Sequence, residues 1–252
     1  MRTRTLLLAG IGFLAFIVIL ALTMPASFVA SQVNATLPSQ LAIEDAKGNV
    51  WNGEARVRVA PTGSGIVLER VRWRFKPERL AHGEVAFDTT VSTAGAEAKM
   101  EIARDGSRWH VRALAANGDA GAFASVFPIL GTYRFTGPIT ASSAALDGDG
   151  RNVYGDLRVE WRDAATGLSE VRPLGNYRAH WHSEGAAGRV PVTTLGGALH
   201  VDGTGTTTAP ARFAFSGEAR AESGAAAALE PLLDLIGPRK PNGARAIEIR
   251  LQ

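Results

Sequence analysis

RVRWRFK, residues 70–76, decides the fold class: Val71, Trp73 and Phe75 alternate strictly with Arg70, Arg72, Arg74 and Lys76. A period of two sends successive side chains to opposite sides of an extended chain, so this is a strand with one apolar and one charged face. The pattern recurs along the chain. Val57 and Val59 alternate with Arg56 and Arg58, Trp109 and Val111 with Arg108, His110 and Arg112, and Leu157, Val159 and Trp161 with Arg158, Glu160 and Arg162. Farther on, Tyr177, Ala179 and Trp181 alternate with Arg178, His180 and His182. Phe213 and Phe215 alternate with Arg212, Ala214 and Ser216, and Ile247, Ile249 and Leu251 with Glu248 and Arg250.

Strands of this kind build an antiparallel sheet with one face buried and the other in water. Short turn signals separate them: KGN, NGE, PTGSG, RDGS, LDGDGRN, DGTG and PNG. Two stretches read as helices, Ala120 to Leu130 and Glu222 to Ile236, the second stopped by Gly237-Pro238. A faint repeat sets GNVWNG at 48–53 against RNVYG at 151–155 and divides the β region into 41–147 and 148–252. Within the first copy, Gly48 and Gly53 permit a tight turn that Trp51 covers, which makes Trp51 scaffold.

The amino terminus sets the compartment. After Arg2 and Arg4, the nineteen residues Leu6 to Met24 carry no charge, and as a helix of about 28 Å they match the apolar thickness of a bilayer. A cleaved signal peptide is the competing reading, but its apolar region is shorter, about 7–15 residues, and the cleavage signal near Ala30 is poor. The two arginines keep the short side cytoplasmic. The expected layout is therefore a cytoplasmic tail (1–5), a transmembrane anchor contacting membrane lipid (6–24), a linker (25–40) and a periplasmic β domain (41–252).

Composition removes several function classes. The 252 residues include no cysteine, so disulfides, thiolate metal sites and cysteine nucleophiles are out. Lysine occurs only at Lys47, Lys76, Lys99 and Lys240, and the net charge of +3 spreads 23 arginines among acidic residues. A nucleic-acid protein would gather them into a stripe. No nucleophile elbow, phosphate loop or His-Glu-x-x-His helix occurs, so no enzyme is expected: no catalytic, cofactor-binding or metal residue is assigned, and no cofactor.

Some residues still merit weighing. His180 and His182 share a strand face, but Arg178 beside them repels a cation and only Glu184 offers a third ligand. Asp147-Gly148-Asp149-Gly150 is a fragment of a calcium loop without the later glutamate, and reads as a hairpin turn. Trp73, Trp109, Trp161 and Trp181 sit at inward positions, where core packing is the default and ligand stacking the alternative. The arginine-bearing face is either a solvated surface or a dock for an acidic partner or lipid headgroups.

Several segments in order resemble protein N of the bacterial type II secretion system: MPASFVA (24–30), GNVWNGEARV (48–57), VRWRFKPERLAHGEV (71–85), RPLGNYRAHW (172–181), TLGGALHVDGTG (194–205), FSGEARAE (215–222) and LEPLLDLIG (229–237). The resemblance implies a single-pass inner-membrane protein with a periplasmic β domain, an accessory part of the apparatus that exports folded proteins across the outer membrane. Its implied neighbours are the other inner-membrane components, among them the periplasm-spanning protein C. The chain is also similar in general plan to AsmA-like periplasmic proteins, which implies the alternative of a lipid-binding or lipid-transfer module.

Overall fold

The computed structural model describes residues 23–35, 41–59, 66–124, 133–208 and 212–251. Thirteen strands follow one another in chain order in one antiparallel sheet, the meander that alternating segments joined by short Gly/Asn/Asp turns produce. The chain divides into two compact units, Met1–Phe75 with Thr89–Ser92, and Lys76–Asp88 with Thr93–Gln252. Neither boundary falls at 147/148, where the faint repeat divides the sequence.

The first unit contains helix α1 (Ala26–Asn34) and strands β1 (Leu41–Gly48), β2 (Asn52–Val59) and β3 (Ile66–Phe75). Helix α1 occupies part of the stretch expected as a linker. Pro25 precedes it, where its fixed φ favours a helix start, and the Asn34 amide donates to Ile43 O and accepts from Ile43 N–H, both at 2.8 Å. That pair ties the helix end to β1. The rest of the expected anchor, residues 6–22, lies outside the described residues. Among the described residues no helix is long and apolar enough to cross a membrane.

Asn49 builds the β1–β2 turn. Its Oδ1 accepts the N–H groups of Trp51 at 3.0 Å and Asn52 at 2.7 Å, while Val50 N–H donates to Met24 O at 3.1 Å. The Trp51 ring packs on Phe75 with centroids 4.7 Å apart and remains half-buried. Trp51 thus holds the turn to β3, as a scaffold residue that keeps part of its ring in water.

The second unit begins with a 3-10 turn, Pro77–His82, and β4 (Val85–Thr93), whose residues 89–92 cluster with the first unit. There follow β5 (Ala96–Asp105), β6 (Arg108–Asp119), α2 (Ala120–Ala124), β7 (Pro138–Gly148), β8 (Val153–Ala164) and β9 (Gly175–Gly185). The chain continues through β10 (Ala187–Gly196), β11 (Leu199–Thr208), β12 (Arg212–Ala221), α3 (Ala226–Ile236) and β13 (Arg245–Leu251). Helix α2 is the start of the segment expected at 120–130, of which 125–130 lie outside the described residues. A 3-10 turn, Ser223–Ala225, leads into α3, which ends at Gly237 as the sequence predicts.

Among the described residues, the large buried apolar side chains gather under α3. There Leu229, Leu232 and Leu233 cover Leu174, Leu199 and Ala219. Elsewhere Trp109, Leu157, Val159, Trp161 and Trp181 are half-buried. Among the described residues, ten of the sixteen buried apolar residues are alanines, and Leu229 is the single large side chain that is fully enclosed. A sheet packed against a second layer along its length would enclose larger side chains.

The rings find shelter by lying on glycines. Trp109 covers its strand partner Gly148, Trp181 covers Gly188, and Phe215 lies between Gly203 and Gly217. In the first unit Trp73 does the same to its partner Gly53, where a Cβ would stand 2.6 Å from the ring. An aromatic laid over a cross-strand glycine shields backbone that lacks a side chain and buries its own underside.

Candidate functional site

Where Trp109 and Trp181 face the same end of the second unit, they wall a cavity of about 370 Å³. Strand pairing assembles it. Trp109 opposes Gly148, Gly148 opposes Val153, and Val153 opposes Gly185, while Ser183, Gly188 and Thr207 form the adjoining row. Gly185 leaves the floor open, the Trp181 ring lies over Gly188, and the β7–β8 turn brings Arg151 to the rim.

The polar atoms of this cavity divide into spent and free. Trp181 Nε1 donates to Thr207 Oγ1 at 2.9 Å, and Ser183 Oγ donates to Gly185 O at 3.2 Å and Ala187 O at 3.0 Å. Among the described residues, the Trp109 indole N–H and the Arg151 guanidinium have no partner. Asp149 shapes the turn that presents Arg151. Its Oδ1 accepts the backbone N–H groups of Asn152 at 2.9 Å and Arg151 at 3.0 Å. Those two bonds, with the Asn152 amide, pull its carboxyl down to about 2.

The Asp147-Gly148-Asp149-Gly150 stretch is therefore split between two tasks. Asp149 holds the hairpin turn, while Asp147 Oδ1 lies 2.5 Å from His110 Nδ1. His110 Nε2 is buried without a hydrogen-bond partner, 3.6 Å from Asp105 Oδ2.

His180 and His182 meet on Asp156 of β8, each with a ring nitrogen 2.9 Å from Oδ1, and Glu184 lies 3.5 Å from His182 Nε2. The Asp156 hydrogen bond raises the His182 pKa, and the His182 and His180 bonds lower that of Asp156. Among the described residues no group of three or more His, Asp or Glu side chains is placed to hold a metal ion.

The arginine-bearing face is not uniformly solvated. At β5 and β6 the 3-10 turn covers it, and three cations converge on two carboxylates. Glu101 takes Lys76 at 2.7 Å and Arg79 at 2.6 Å, while Glu84 takes Arg112 at 2.7 Å. Glu101 is 9% exposed. Burial pushes its carboxyl up, but the bonds from Lys76 and Arg79 outweigh that and hold it below its ordinary value.

Elsewhere the arginines form exposed pairs, Arg56 with Asp45 at 2.7 Å and Arg178 with Glu160 at 2.8 Å. Such pairs contribute little stability. Among the described residues Arg72, Arg74, Arg158 and Arg189 have no carboxylate partner. The Glu84–Glu101 cluster went unforeseen because its members come from three segments that only folding joins. A visible hint was the dense charge of KPERLAHGE at 76–84.

Comparison with known proteins adds one match. A family model described as type II secretion system (T2SS), protein N, covers residues 39–248. No curated protein and no solved structure matches the chain.

Proposed function

Since the chain belongs to the family of type II secretion system protein N, we propose that it is a non-catalytic accessory component of that apparatus, anchored in the inner membrane with its β sheet in the periplasm. The observation that carries this reading is the family match over residues 39–248, which takes in every strand that the alternating sequence pattern predicts except the end of the last, Ile249 to Leu251. Support for the anchor comes from the charge-free run Leu6 to Met24 behind Arg2 and Arg4.

On this reading the sheet is a presenting surface. It docks other inner-membrane components of the machine, protein C among them, and needs no reacting group. The unpaired Arg72, Arg74, Arg158 and Arg189 offer charge to acidic partner surfaces or lipid headgroups. Deleting the gene in a secreting host tests the role: secreted proteins should accumulate in the periplasm and recover their export on complementation. Unimpaired export in the deletion strain contradicts it. Protease added to spheroplasts should remove the β domain, whereas protection of that domain contradicts the orientation.

A further inference from the structure

We propose that the cavity between Trp109 and Trp181 binds the acyl chain of a single-chain amphiphile whose anionic headgroup pairs with Arg151. This site stands independently of the role in secretion, because it rests on the geometry of the second unit alone.

Four observations converge on that ligand. The walls are two indole rings and Val153, and Gly185 lies at the floor, so the groove is mostly apolar and open to water on one side. Its volume of about 370 Å³ lies near the lower end of ligand-sized sites, roughly 300–1,000 Å³, which suits one chain and is small for two.

The hydrogen-bonding groups exclude other classes. A sugar or a peptide backbone carries donors and acceptors together and needs both answered when it is desolvated. Here Trp181 Nε1 and the Ser183 hydroxyl are already committed to Thr207 and to backbone carbonyls. Trp109 Nε1, the Thr208 hydroxyl and the Arg151 guanidinium remain; all three can donate, and Arg151 is the single charge of the lining. They call for a group that only accepts, a carboxylate or phosphate.

Placement fits as well. Arg151 sits on an exposed turn at the rim, so its charge stays hydrated while an apolar tail runs inward between the two indoles. Asp149 forms no ion pair with the Arg151 guanidinium; its oxygens accept from Arg151 N–H, Asn152 N–H and the Asn152 amide. Arg108 also acts on Asp149 and adds positive charge at this end of the sheet.

Tryptophan fluorescence of the full chain in phosphatidylcholine nanodiscs tests the site, with 9,10-dibromostearate as a short-range quencher and the matching dibrominated alcohol as its neutral counterpart. Two variants accompany it: Arg151→Gln, and Ala186→Phe, which fills the cavity from an exposed hairpin tip. The site predicts saturable quenching by the acid, at least fivefold weaker in Ala186→Phe. Arg151→Gln should weaken acid binding about tenfold, the size of one charge-assisted hydrogen bond, and leave the alcohol unchanged. Equal quenching of all three proteins means partition into the disc alone and overturns the site. Loss in Ala186→Phe with no effect of Arg151→Gln overturns the anionic ligand. A thermal melt of each variant matching that of the parent shows that the comparison is between folded proteins.

Discussion

Trp109 lies across Gly148, its partner on the neighbouring strand, so closely that a methyl group on Gly148 would clash with the ring carbons Cζ2 and Cε2. The relationship explains how half-buried aromatics of the described strands are kept in place. Gly148→Ala should force the ring off the strand and destabilise the protein by about 1–3 kcal/mol, the range of overpacking. Gly148 is not among the residues with positive φ, so backbone strain does not complicate the comparison. A denaturant midpoint unchanged by Gly148→Ala contradicts the close packing.

The Glu101 cluster should set the acid limit of the fold. A carboxyl whose pKa is lower when folded contributes stability that is full above its ordinary value of 4.5 and is lost as pH falls through the lowered value. Glu101→Gln leaves Lys76, Arg79 and Arg112 crowded without their shared charge. Stability at neutral pH should fall by roughly 1–3 kcal/mol, less than for a deeply buried pair because the cations are partly hydrated. Parent and variant should draw together as pH falls from 4.5 through the lowered value, and urea titrations across pH 3–7 read both effects. Parallel curves for the two proteins over that range contradict this role.

His182 should titrate above 6.5, because Asp156 and then Glu184 favour its protonated form. A His with a raised pKa contributes stability that is full below 6.5 and lost as pH rises through the folded value. Half of the side chain is exposed and solvent screens the pair, so the effect is read by NMR of the ring protons. Asp156→Asn should bring the midpoint down toward the ordinary value, and an unchanged midpoint excludes the pairing.

Ala113 has a φ of +50° at an irregularity in β6, a conformation that costs a residue with a Cβ about 1 kcal/mol or more. Ala113→Gly should raise stability by up to about 1 kcal/mol, with the entropy of glycine in the unfolded chain as the offset. A lowered melting temperature contradicts this account of the bulge.

That same bulge shows what the sequence displays and what it hides. Trp109 and Val111 occupy odd positions on the apolar face, then Leu114 and Ala116 occupy even ones, and the change of phase marks the irregularity. Period-two patterning made the strands legible because it depends on neighbours in sequence alone. The pairing of Trp109 with Gly148 and the diagonal contact of Trp181 with Gly188 depend on strand register, which alternation leaves open. Hence the tryptophans read as ordinary core residues, whereas they lie flat on glycines and wall a cavity.

Helix α1 escaped notice for a different reason. ASFVASQVN has no charge and no strong periodicity, so it blends with the apolar run before it. Its stability comes from Asn34 bonding to Ile43 across the intervening chain, a contact no local pattern reports.

The central claim, that this β sheet works as a docking surface within a type II secretion machine, is tested most directly by photo-crosslinking in secreting cells. A crosslinking residue placed at exposed Arg72, Arg158 or Arg189 of the full chain should capture other inner-membrane components of the apparatus, identified by mass spectrometry. Crosslinks confined to proteins outside that apparatus, from all three positions, contradict the account.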